Sequence, residues 1–215
     1  STNSGGTLVM NAGLVATTGL QSFGEAMTLA KDTTISAGAG AVTFNSTLEG
    51  GYALSVNSTG TTTFHGALGG STALASLITD TGGMVLVNTG TVRTTGTQTF
   101  NDMVSLLQSS TLTSSHVTFN AAVMGAGNLN VVGPSTLNGV NINTIGAQSY
   151  GGPVTLLKDT VIDAGVSEVT FSGTVDTGNG ISAKSLTINT SGTTTFAGAV
   201  GATHALHHLS TDAGT

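Results

Sequence analysis

The chain has 215 residues, of which only 7% are charged and 4% aromatic, with a formal net charge of −6 and no cysteine. Its four cations, Lys31, Arg93, Lys158 and Lys184, are too few for the basic patch that nucleic acid selects, and the lack of Cys excludes a disulfide framework or a thiolate metal site. Glycine (32) and threonine (40) dominate while Val, Leu and Ile are spread throughout, a pattern of regular structure rather than disorder.

The first 87 residues read as a long repeat unit. It contains "NAGLVATTGLQSF" (Asn11 to Phe23), which runs into "GLQSFGEAMTLAKDTTISAG" (Gly19 to Gly38). Further on, "VTF" (Val42 to Phe44) and "LSV" (Leu54 to Val56) alternate apolar and polar residues, the period-two signature of half-buried strands, with Gly, Asn and Ser turn formers between them. The unit closes on "GTTTFHGALGGSTALASLITDTG" (Gly60 to Gly82).

Residues 88–137 are a shortened unit. "NTGTVRTTGTQTF" (Asn88 to Phe100) repeats the Asn11 segment 77 positions later, but no TTTF segment follows. Residues 138–215 are a second long unit: "GAQSYGGPVTLLKDTVIDAG" (Gly146 to Gly165) lies 127 positions after its first copy, and "GTTTFAGAVGATHALHHLSTDAG" (Gly192 to Gly214) lies 132 after its own. The chain opens at Ser1 without an initiator Met, a signal peptide or an apolar run of transmembrane length, and is expected to be a segment of a longer protein.

Every Phe follows a Ser or Thr, and Tyr150 fills the Phe23 slot of the last unit. From Phe23 to Phe196 the intervals are 21, 20, 36, 19, 31, 21 and 25 residues, which suggests a subperiod near 20 with two skipped markers. No long segment carries capped helical periodicity. Short strands and turns repeated every ~20 residues predict an all-β fold, a parallel β-helix (β-solenoid) of about ten coils stacked at roughly 4.8 Å, a rod near 50 Å long. In that rod Val, Ile and Leu line the interior, Phe stacks at one fixed place, and Thr faces outward. Asn11, Asn88 and Asn138, each ten residues before a Gln, are expected at turns.

The repeats GTTTF-x-G-A-[VL]-G, [ST]-x-A-L-x-x-L-x-T-D-x-G and T-[TI]-G-x-Q-[ST]-[FY] cover essentially the whole chain. They resemble the passenger regions of large bacterial exoproteins, the filamentous haemagglutinin-like and autotransporter-type adhesins. The resemblance implies a right-handed parallel β-helix shaft, secreted to the bacterial cell surface or beyond it. Such shafts hold an adhesive tip away from the cell or build extracellular filaments. The partners implied are neighbouring repeats, further copies of the chain, and host or cell-surface glycans, with no nucleic acid and no membrane insertion.

No residue set announces a chemistry, so no catalytic, cofactor-binding or metal residue is assigned and no cofactor is expected. A β-helix polysaccharide enzyme would need convergent acids. The densest acidic run is Asp159, Asp163, Glu168 and Asp176, and nothing in its spacing places the four on one face. Asp80 and Asp212 share a repeat slot, as do Asp32 and Asp159, which argues for a turn role over a unique active site. The Lys–Asp neighbours Lys31–Asp32 and Lys158–Asp159 point to opposite sides of any strand. His204, His207 and His208 would gather a metal on a helix, but the sister unit has Thr72, Ala75 and Ser76 there. His65 and His116 are isolated. An ice-binding Thr rank would need T-x-T in nearly every coil, and TTT occurs only at 61–63 and 193–195. No G-x-S-x-G elbow, EF-hand, phosphate loop or calcium-binding nonapeptide is present.

Overall fold

In the computed structural model, residue 2 and residues 5–139 and 141–212 are described. The last unit is therefore described only as far as Asp212: the "AGT" that ends it lies outside the described residues. The described chain is all-β: twenty-eight short strands, every pair parallel, and no helix. It is a β-solenoid of about ten coils, as expected from the ~20-residue subperiod.

Each coil has three strand positions; in two coils one position is filled by a single bridging residue (Leu68 or Val200) in place of a strand, and like positions stack into three faces. The first coil sets the order: Thr7–Met10 on the first face, Leu14–Ala16 on the second, Gln21–Phe23 on the third. The third face is a continuous ten-stranded sheet and the second a nine-stranded one. The first face has a three-stranded and a six-stranded segment, and Leu68 joins them by bridging Leu48 below and Val92 above.

Alternation does the packing. Strands such as Val42–Phe44, Val154–Leu156 and Val169–Phe171 bury their outer two residues and leave the middle one half-exposed. Residues at one inward position meet their equivalents in the neighbouring coils. On the third face Val85, Val104, Val123, Ile142, Ile162 and Ile188 form one such aliphatic column, all fully buried.

The aromatics stack too, but on three faces rather than one. Phe23, Phe44 and Phe64 stack on the third face with ring centroids 5.2 Å apart. Phe100 and Phe119 stack on the second face at 5.6 Å. Tyr150, Phe171 and Phe196 stack on the first at 5.0 Å. This corrects the expectation of one fixed address. The step from Gln21–Phe23 to Thr97–Phe100 spans eleven faces, three and two-thirds coils; the step on to Gln148–Tyr150 spans eight, two and two-thirds. Each repeat unit therefore starts a third of a turn further back. The 36- and 31-residue intervals are five-face steps between stacks: each passes one coil without a ring, the skipped marker, and shifts the next ring to another face. No coil holds more than one of these rings, which fits a narrow interior packed at native density.

Threonine faces outward at mid-strand positions such as Thr43, Thr118 and Thr170, as expected, but not everywhere. The middle residue of the first triplet, Thr62, points inward in the Val42–Val85 column and is 1% exposed. Thr33, Thr144 and Thr160 are likewise buried at strand ends, where each hydroxyl donates to a corner carbonyl two residues away. A threonine so bonded has nearly the shape of valine and leaves no orphan donor.

Candidate functional site

The Gln two residues before the first aromatic strand-end of each unit, Gln21, Gln98 and Gln148, is a buried corner bolt. Gln21 and Gln98 each donate to the carbonyl six residues earlier, to a Thr hydroxyl four residues earlier, and to a carbonyl fifteen residues later in the next coil. Gln148 repeats the two carbonyl contacts, to Ile142 and Asp163. The Oε1 atoms of Gln21 and Gln98 have no partner, whereas Gln148 Oε1 accepts from the Tyr150 hydroxyl at 2.9 Å. Full burial pushes the Tyr150 phenol well above the ordinary tyrosine range. The signal for this bolt is in the sequence, Q-[ST]-[FY] in all three units, although the pattern alone marks the glutamine's position and not its bonds.

The corner asparagines sit where turns were expected. Asn88 follows a third-face strand, and its amide meets His65 Nδ1 of the coil below at 3.1 Å. Asn138 follows a second-face strand and tops a ladder: Asn138 donates to Asn120, Asn120 to Asn101, and Asn101 to the Thr79 carbonyl. Asn11 follows a first-face strand, so this slot also shifts by a third of a turn per unit.

The repeated acids hold backbone N–H groups of neighbouring coils. Asp32 and Asp159 accept from Ala53 and Ser185; Asp80 and Asp212 accept from Ser58 and Thr190. The slots aligned in sequence thus do the same work in space. Two further acids clamp loops that replace a strand. Glu49 accepts from the Ser71 and Thr72 N–H groups, and Asp176 from those of Thr203 and His204. These loops open at Gly69 and Gly201, whose φ of +65° and +68° a residue with a Cβ rarely adopts. Partial burial pushes the Asp176 carboxyl up, but the two N–H donors, Thr174 and the His204 charge together hold it below the ordinary aspartate range.

The dense acidic run does not converge. Asp159 lies at the corner between second and third faces, Asp163 on the third face, Glu168 at the next corner, and Asp176 on the second face. Asp163 bonds its own turn through the Gly165 N–H. Asp102 is 3% exposed: one oxygen accepts from Gly83 at 2.7 Å and the other has no partner. Burial pushes its carboxyl above the usual range, Gly83 pulls it back, and the nearby Asp80 charge adds to the rise.

His204, His207 and His208 are not on a helix: His204 is in the Asp176-clamped loop and His208 opens the strand His208–Thr211. Among the described residues no three His, Cys, Asp or Glu side chains gather as a metal site. One concavity, of about 270 Å³, is a groove on the outside of the third face lined by Met124, Asn141, Asn143, Val161 and Asp163. A second of about 160 Å³ lies beside Leu20, Gln21 and Phe23 in the first coil. Both are smaller than the usual small-molecule pocket. Among the described residues no helix is long and apolar enough to cross a membrane.

No protein-family model matches the chain, and no curated protein and no solved structure is significantly similar to it.

Proposed function

We propose that this chain is a structural shaft of a bacterial surface exoprotein, secreted, with adhesion carried by what the shaft presents rather than by an active site within it. The observation that supports this most is where the polar side chains go. Eight of the ten acids, all three Gln of the repeat and the corner Asn ladder are bonded to the solenoid's own backbone or to each other. Side chains spent on holding coils together give stiffness, and a rod of about ten coils reaches ~50 Å.

Electron microscopy and small-angle scattering test the shaft: rods of about 50 Å are expected, lengthening in proportion when copies are joined in tandem. Cells displaying one, two or three copies beneath a common adhesive domain should capture ligand-coated beads at increasing distance. Cleavage of any member of a polysaccharide panel by the isolated chain would overturn the reading in favour of an enzyme. A second reading, self-association into extracellular filaments, is favoured by exposed aliphatic side chains on one corner.

A further inference from the structure

Asparagine followed by glycine occurs twice in the chain, at Asn138–Gly139 and Asn179–Gly180. In such a pair the backbone nitrogen of the second residue can attack the side-chain amide of the first and close a succinimide ring, because glycine puts no Cβ in the way. Both pairs lie at the corner between the second and third faces, in the seventh and ninth coils. Their surroundings differ.

At Asn138 the reacting groups are tied down. Its side-chain amide donates to Asn120 Oδ1 at 2.9 Å, and its backbone N–H to the Phe119 carbonyl at 2.8 Å. Gly139 is pressed on the coil below, where a Cβ would collide with the Ala121 carbonyl. Ring closure there has to break the asparagine ladder first. Asn179 has no such ties. It and Gly180 are exposed in the corner 178–184, which joins Val175–Thr177 to Ser185–Thr190. That corner is seven residues long, whereas the same corner takes two to four in the first six coils. It is pinned at its ends, by Gly178 N–H on the Leu156 carbonyl and Lys184 N–H on the Thr177 hydroxyl. Among the described residues no hydrogen bond engages the Asn179 side chain or the Gly180 N–H. A Cβ at Gly180 would meet nothing within 4 Å. Nucleophile and electrophile are adjacent, exposed and able to turn.

We propose that Asn179 is a site of spontaneous deamidation, which adds a carboxylate to the outer corner of the ninth coil. The Gly180 nitrogen bonds to Asn179 Cγ as the Cγ–Nδ2 bond breaks, and the Gly180 proton reaches the leaving ammonia through solvent. Water then opens the ring. Attack at Cγ leaves an aspartate in an ordinary backbone; attack at the Asn179 carbonyl carbon leaves an isoaspartate, with the chain running through the former side chain. One water enters, one ammonia leaves, and nothing is oxidised or reduced. The formal charge goes from −6 to −7, one acid added. An isoaspartate lengthens the backbone by a methylene, which would disturb the register of a ladder strand. A long corner held only at its ends absorbs it, so the solenoid stays intact. The proposal is independent of the shaft reading.

Tryptic mapping of the whole chain tests it. Cleavage after Lys158 and Lys184 isolates the peptide 159–184, whose single asparagine is Asn179, while Asn138 falls in the peptide 94–158. Folded chain and chain unfolded in guanidinium chloride are aged side by side in warm, mildly alkaline buffer, then digested, with fragmentation locating each amide-to-acid change. Unfolded, the two pairs convert at like rates. Folded, Asn179 stays within about threefold of its unfolded rate and Asn138 slows about tenfold or more. Both rates rise with pH, because the attacking nitrogen must shed its proton. The aged folded chain binds an anion exchanger more tightly, with its circular-dichroism melt unchanged; Asn179→Gln abolishes that charge shift and Asn138→Gln leaves it. Equal rates for the two pairs in the folded chain, protection of Asn179 to the degree of Asn138, or a charge shift that survives Asn179→Gln overturns the proposal.

Discussion

At the residue scale, one hydroxyl separates the last unit from the other two. Tyr150 satisfies Gln148 Oε1, while Phe100 leaves Gln98 Oε1 buried without a partner. Phe100→Tyr should therefore stabilise the chain by about 1 kcal/mol, and Tyr150→Phe should cost about as much or more, read by denaturant titration. Asp102 supplies a test with a sign. Its folded carboxyl titrates above the ordinary value of 3.8, so ionisation costs stability at all pH above the raised value and costs nothing below the ordinary one. Asp102→Asn keeps an acceptor for Gly83 and should be more stable than the parent at neutral pH. The difference should vanish as the pH falls through the raised value towards 3.8.

At the element scale, two loops stand in for strands, and one carboxylate holds each. Glu49 and Asp176 lie 127 positions apart, the offset of the Gly19 and Gly146 copies, so "VTFNSTLE" (Val42 to Glu49) aligns with "VTFSGTVD" (Val169 to Asp176); the two are nineteen strand positions apart along the coil path and clamp the equivalent loop. The same slot keeps the interaction with a different acid. Asp176→Ala should release residues 201–206, seen as faster hydrogen exchange at Thr203 and His204, with exchange elsewhere unchanged. Because the folded Asp176 carboxyl sits below its ordinary value of 3.8, its stabilisation is complete above that value and lost as the pH falls through the depressed one. The gap between parent and variant in a melting series should close in that window.

At the scale of the whole molecule, the units are not whole numbers of coils. A three-faced solenoid offers three equivalent walls, so a unit can begin on any of them provided its neighbours in the stack match. Val87 and Leu137 both end strands, on the third and second faces, and each is followed by the corner Asn of the next unit. Deleting residues 88–137 joins equivalent junctions, so it should leave a cooperative solenoid shorter by two and two-thirds coils, about 13 Å by scattering. Deleting the same number of residues from mid-strand to mid-corner reverses every inward position that follows and should abolish the cooperative melt.

The strands, the ~20-residue coil, the turn asparagines and the shared slots of Asp32 with Asp159 and Asp80 with Asp212 were all legible, because each depends on local alternation and on a repeat that the chain states twice. Two things were not. The inward turn of Thr62 depends on which neighbour lies above and below it. The exposed corner aliphatics Leu107, Ala126, Ile145 and Val166 are spaced at 19 to 21 residues and look, in one dimension, like any other aliphatic in the repeat. By itself, then, the sequence determined that this chain stacks, since period and alternation are properties of neighbours along the chain. Only the tertiary structure decided on which face each stack runs, because the wall is set by how many strand positions separate one copy from the next, eleven and then eight, and that number includes positions where a loop replaces a strand.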